Sequence, residues 1–83
     1  MAGKSPVQER LGRAVKDVRA SRSMTQEELA ERSGLHPTYI SDIERGARNP
    51  SFRALVRLAD GLGATVAEIG AAYDRRTRES RSA

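Results

Sequence analysis

The sequence predicts an all-α fold: one compact domain of five short helices. Three observations lead there. Apolar residues recur at spacings of three and four through five successive segments, the period of a helix with one buried face. Helix-start and helix-stop residues punctuate those segments, and Thr-x-x-Glu occurs twice, at Thr25 to Glu28 and at Thr65 to Glu68. The β-branched residues stand alone and never alternate with polar ones, so no strand is expected.

Residues 1–5 are small and polar and read as a flexible N-terminus. Ser5 and Pro6 then make a good helix start, and Val7, Leu11, Ala14, Val15 and Val18 give the first helix, about 6–21, its apolar stripe. Ser23 and Met24 link it to the next, with Met24 placed as a hydrophobic staple. The second helix, about 25–33, opens on the Thr25/Glu28 capping box and buries Leu29 and Ala30. Gly34 stands where the chain must turn, because glycine tolerates the positive φ that such a turn uses. Pro37 suits the first turn of a third helix, about 37–45, in which Ile40 and Ile43 face one core. Gly46 stops it. Two short helices joined by a glycine turn follow the plan of the helix-turn-helix.

A short loop, Ala47 to Pro50, comes next, since Pro50 disfavours helix at Asn49. Ser51 can cap a fourth helix, about 51–62, with Phe52, Leu55, Val56, Leu58, Ala59 and Leu62 as its stripe. Gly61 costs about 1 kcal/mol against alanine there, so the last turn is expected to fray. Thr65 and Glu68 open a fifth helix, about 65–73, carrying Val66, Ile69, Ala72 and Tyr73. Residues 74–83 are basic, lack apolar periodicity and are expected to be a tail without order. The folded domain is therefore placed at 6–73.

With 83 residues the chain has room for one domain with a thin core. It has no cysteine and one histidine, so neither disulfides nor a zinc cluster supplements that core, and oligomerisation is the remaining route. The formal charge is +4 with a pI near 10.3, which favours a polyanionic partner. Residues 1–22 carry six basic and two acidic side chains, and residues 75–83 four and one. The middle, 23–74, carries five and eight, so any affinity for a polyanion there depends on individually placed arginines. No apolar run approaches the roughly 18–20 residues of a membrane span, and no signal-peptide core is visible, so a cytoplasmic protein is expected.

The run from Ser23 to Ile69 resembles the phage-repressor and Cro-like helix-turn-helix proteins, the XRE family. The T-Q-E-E-L-A start, the G-L turn, Y-I-S-x-I-E-R-G and the closing L-A-x-x-L-G-x-x-x-x-E-I fall in family order, and with the first helix the likeness covers roughly residues 7–73. The detail Y-I-S-D-I-E-R-G-x-R-N also resembles the small controller proteins of restriction–modification systems. The family likeness implies sequence-specific binding of double-stranded DNA by a homodimeric transcriptional regulator on a palindromic operator, with the third helix in the major groove. It implies base contacts from His36, Pro37, Thr38, Ser41 and Asp42. Thr25, Gln26, Tyr39, Arg45, Arg48 and Asn49 would meet the DNA backbone. A partly buried salt bridge, Arg19 to Glu44, would tie the first helix to the third.

The residue chemistry fits those roles in part. Thr38 and Ser41 can donate or accept, and Asp42 would repel phosphate but can accept from a cytosine amino group. Many family members place glutamine or arginine where Pro37 stands, and proline cannot hydrogen-bond a base. Base readout is therefore expected to be modest, with DNA shape carrying more of the specificity. His36 is either a contact or simply the helix N-cap. Val66, Ile69, Ala72 and Tyr73 serve either as core or as a dimer interface, and the interface is favoured because so small a domain seldom buries a whole terminal helix alone. The tail arginines read as a solvated end. An antitoxin-like module that neutralises a partner protein through the fifth helix or the tail is the alternative function. No cofactor, metal, small-molecule ligand or enzymatic activity is expected, since the single histidine has no partner and no catalytic constellation is present.

Overall fold

The computed structural model describes residues 5–82, so residues 1–4 of the loose end expected at 1–5, and residue 83 of the expected tail, lie outside them. Five helices follow in order: α1 (Pro6–Ser21), α2 (Gln26–Ser33), α3 (Pro37–Glu44), α4 (Phe52–Leu62) and α5 (Val66–Ser82). The all-α expectation holds; Thr25 and Ser51 cap their helices rather than open them, Arg45 is the C-cap of α3, and α5 runs well past the expected 73. α1 packs most extensively on α5 and crosses α3, while α2 lies between α3 and α4.

Local chemistry sets each start. Ser5, Thr25, His36 and Ser51 are N-caps in extended backbone, each accepting from an amide of the first turn. The Thr25/Glu28 box is reciprocal: Thr25 Oγ1 accepts from the Glu28 amide at 3.0 Å and Glu28 Oε1 accepts from the Thr25 amide at 2.9 Å. Thr65 and Glu68 repeat it at the head of α5. α3 ends in a Schellman motif, with the Gly46 amide donating to the Ile43 carbonyl and the Ala47 amide to that of Asp42. That geometry puts Gly46 at φ +76°, and a β-carbon there would also press to 2.9 Å from the Glu9 backbone.

The core joins all five helices around Val15, Leu29, Ile40, Ile43, Leu58, Leu62 and Ile69, each at most 2% exposed. Burying such a side chain contributes about 1.5–3 kcal/mol. Met24 and Leu29, at the N′ and N4 positions of α2, are both buried in this cluster, as a hydrophobic staple requires. Close approaches are made with glycine. A β-carbon on Gly12 would lie 2.3 Å from the Ile43 carbonyl oxygen and 2.7 Å from that of Glu44, so α1 and α3 cross backbone to backbone. Gly61 does not mark a frayed turn. It is buried within α4, and a β-carbon there would stand 3.0 Å from Leu29 and Ser33 of α2.

Three residues expected in buried stripes lie at the surface instead. Phe52 and Val56, assigned to the buried stripe of α4, are 70% and 36% exposed, because the core-facing arc of the helix is filled by Ala54, Leu58, Ala59 and Leu62. Val7 likewise faces solvent at the start of α1.

The tail expected to lack order is helix. α5 continues unbroken through residues 74–82. The reason is a long-range pair: Arg76 Nε and Nη2 each donate to a carboxylate oxygen of Asp17 at 2.7 Å, fastening the extension to α1. Those hydrogen bonds, with the charges of Arg76, Arg75 and Lys16 and against the effect of burial, hold the Asp17 carboxyl below its ordinary value. A carboxyl lowered by folding contributes stability at neutral pH and loses it as the pH falls through the folded value. Arg76 and Asp17 are 33% and 40% exposed, so screening limits the pair to about 1 kcal/mol or less. The α5 extension is therefore expected to lose helicity as the pH drops below about 4. Circular dichroism against pH checks this. Asp17→Asn should begin with the lower helicity and lack that component of the titration, and identical profiles would dismiss the pair as an anchor.

Candidate nucleic-acid interface

The helical period divides α3 cleanly. Ile40, Ile43 and Glu44 point inward, and Thr38, Ser41, Asp42 and Arg45 form the outward arc. The inward set is locked by more than apolar packing. Glu44, its side chain 3% exposed, accepts from Arg19 Nε at 2.6 Å, Arg19 Nη2 at 2.9 Å and Gln26 Nε2 at 2.9 Å. Arg19 Nη1 donates onward to the Met24 carbonyl at 2.6 Å. One carboxylate thus joins α1, the head of α2 and α3. Its hydrogen bonds raise the Arg19 guanidinium further above its ordinary value, against the effect of burial. No buried side-chain polar atom among the described residues lacks a partner.

At the head of α3, His36, Pro37 and Thr38 are exposed together. His36 is the N-cap: its Nδ1 accepts from the Thr38 amide at 3.1 Å, which makes the proton-bearing Nε2 the outward nitrogen. Capping and an outward contact are thus compatible. Ser41 is half-buried one turn further on. Thr25 is exposed, but its hydroxyl is engaged in the capping box of α2, and Gln26 has committed an amide hydrogen to Glu44. Arg45, Arg48 and Asn49 are exposed just past the end of α3.

Three features escape sequence reasoning. Asp42 does not stand open to a base: it pairs with Arg45, and Arg48 Nη2 lies 3.7 Å from its other oxygen. Arg48 also sits over the Tyr39 ring at 5.1 Å from the centroid, so a cation–π contact fixes where that guanidinium points. Beside the head of α3 an open cleft of about 440 Å³ is lined by Leu35, His36, Tyr39, Arg53, Ala54 and Arg57. Arg53 and Arg57, one turn apart on α4, bring two further cations to this cleft, and their i,i+4 spacing is the trace of it in the sequence.

The four residues expected at a dimer interface divide between the core and half-buried positions. Ile69 and Ala72 are each 1% exposed inside the monomer core, and Val66 and Tyr73 are half-buried against it. α5 uses its apolar face on its own chain, chiefly on α1, and the exposed apolar pair lies instead on α4, at Phe52 and Val56. Among the described residues no helix is long and apolar enough to cross a membrane, and no cluster of His, Cys, Asp or Glu could hold a metal ion.

A glycine-turned helix pair, its second helix outward and fixed to the core by Glu44, defines a helix-turn-helix domain. The chain belongs to the helix-turn-helix family, whose model matches residues 15–69. It is 49% identical over 53 residues to control protein C.BamHI of Bacillus amyloliquefaciens, covering 63% of this chain and 65% of that protein. It is 41% identical over 59 residues to the immunity repressor protein of Bacillus phage phi105, covering 71% of this chain and 41% of the repressor. The chain thus spans less than two thirds of either relative. Its fold is similar to that of the clp gene regulator ClgR from Corynebacterium glutamicum, with a TM-score of 0.84 and 31% identity over 96% of this chain and 86% of that one.

Proposed function

We propose that this protein is a cytoplasmic transcriptional regulator that binds double-stranded DNA as a homodimer, with α3 in the major groove. The observation that carries the reading is the outward arc of α3, a set of small polar residues on a helix held rigid by Glu44 and flanked by arginines. Thr38 and Ser41 can address base edges, with Pro37 offering an apolar contact to a thymine methyl. His36, Arg45, Arg48 and Asn49 set the register on phosphates. The heads of α2 and α3 add amides that can donate to phosphate oxygens. The relatives named as a control protein, a phage repressor and a gene regulator support regulation of transcription.

The dimer places Phe52 and Val56 of the two copies against each other. They are exposed, one turn apart and close in sequence to Arg48 and Asn49, so the pairing would also fix the separation of the two α3 helices. A two-fold dimer reads half-sites about 34 Å apart on a palindromic operator. The alternative, a module that neutralises a partner protein through α5, loses ground because Ile69 and Ala72 are spent in the core.

Selection of bound sequences from random duplex DNA tests the reading. It should return a palindrome, with binding that falls steeply as salt rises. Thr38→Ala and Ser41→Ala should each relax preference at one position per half-site, and Phe52→Asp should sediment as a monomer that no longer requires paired half-sites. Unchanged preference in both α3 variants would remove base readout from this helix, and recovery of no sequence at all would refute the function.

A further inference from the structure

The acidic residue in the middle of the proposed reading face is not explained by phosphate contact. Asp42 lies on the outward arc of α3, where its carboxylate would meet the strongest negative potential of the complex. It pairs with Arg45 and stands 3.7 Å from Arg48. The two guanidiniums are 60% and 52% exposed, whereas the Asp42 side chain is only 20% exposed beneath them. Tyr39 holds Arg48 from its other side. Two of the cations best placed to meet phosphate are therefore already shared with one internal anion.

We propose that Asp42 is a specificity-determining residue that restrains Arg45 and Arg48 from indiscriminate contact with the DNA backbone. The inference rests on the DNA-binding reading above. On an arbitrary duplex, moving either arginine to a phosphate leaves the carboxylate facing the phosphates and the acceptor-rich groove edge with its counter-charge withdrawn. That cost is charged to every non-matching site. Where a base presents a donor to the carboxylate, as the cytosine amino group does, the released Asp42 gains a new partner and the cost is offset. Asp42 then lowers affinity everywhere and lowers it least at the matching sequence. Discrimination of this kind comes from a penalty on the wrong partner. It supplies the discrimination that Pro37, with no hydrogen bond to offer a base, cannot.

The test compares the full-length protein with Asp42→Asn and Asp42→Ser. A charge-matched control, Asp74→Asn, removes an exposed acid on α5. Binding is measured against a random-sequence duplex and against the selected operator over a range of salt, after thermal melting has established that each variant is folded. Both Asp42 variants should bind the random duplex about tenfold more tightly, with a salt slope steeper by about one to two phosphate contacts. The operator should gain less than about threefold, so the ratio of operator to random affinity falls. Equal gains on both duplexes, or an equal gain from Asp74→Asn, would reduce Asp42 to a contributor of net charge and overturn the proposal. Loss of operator binding with no gain on the random duplex would make Asp42 a plain base contact and overturn it as well. If the unsubstituted protein binds neither duplex, the DNA-binding reading fails and this inference with it. If it binds both and the Asp42 variants match it, only the inference fails.

Discussion

Gly12→Ala is expected to unfold this domain or leave it barely folded. A single β-carbon at Gly12 would lie 2.3 Å from the Ile43 carbonyl oxygen and 2.9 Å from the Glu44 carbonyl carbon. Both neighbours are backbone in the last turn of α3, so no side chain can swing aside. The two helices must separate, and α1 is also the main support of α5. Alanine's better helix propensity, worth about 1 kcal/mol, is too small to offset this. Overpacking of a well-packed site costs about 1–3 kcal/mol and more where backbone must move, and this site sits at the upper end. In a domain of this size each kcal/mol shifts the melting temperature by about 4–8 °C. Thermal denaturation followed by circular dichroism is the measurement. A variant melting within a few degrees of the parent would show that the crossing is looser than its geometry indicates. Gly70, which has open space around its missing β-carbon, is the internal comparison: alanine there should be neutral or slightly stabilising.

Glu44→Ala should cost about 3–5 kcal/mol, because it strands the Arg19 guanidinium with its main counter-charge gone. The Arg19 side chain is only 14% exposed, and the neutral Met24 carbonyl would be left to accept from it in place of a carboxylate. Gln26 would lose its partner at the same time, so the head of α2 and the end of α3 loosen together. Denaturant titration should show a large fall in midpoint. Joint replacement, Arg19→Met with Glu44→Leu, should recover much of the loss, since a buried ion pair is often matched by apolar residues of similar volume. A single variant as stable as the parent, or a pair less stable than Glu44→Ala alone, would contradict this account. The recovered double variant would still bind DNA less tightly if Gln26 must be held by Glu44 to meet phosphate.

The helices were legible because their causes are local. Thr25 with Glu28, Thr65 with Glu68, Ser51, and Gly34 and Gly46 each act within a few residues of where they stand, and spacing alone exposes them. The inward pair Ile40 and Ile43 follows from period. The joining of Arg19 to Glu44 came from family likeness, not from any pattern in the residues. What escaped the sequence is what depends on distant partners. The extension of α5 has no apolar period, and its anchor, Asp17, is 59 residues from Arg76. Phe52 and Val56 satisfy the helical period well enough to pass for core, and only the placement of α2 and α5 shows that the packed arc of α4 stops short of them. Ile69 and Ala72 pass for an interface by the same ambiguity, since an apolar stripe does not say which chain covers it. Asp42 reads in the sequence as an acceptor open to a cytosine amino group, because its approach to Arg48 needs the turn at Gly46 to bring the loop back.

The pairing of α1 with α5 also bears on how the protein comes into being at the ribosome. Of the five helices α1 emerges before the others, yet its largest partner is α5, the last of the five to emerge. Until then Val15 and its neighbours lack part of their cover, and α2, α3 and α4 can gather without a finished core. Completion waits on contacts between α1 and α5, the helices furthest apart in sequence among the five, which carry the greatest loop-closure cost. A nascent chain released before α5 would therefore present exposed apolar surface to chaperones and proteases rather than a smaller working domain.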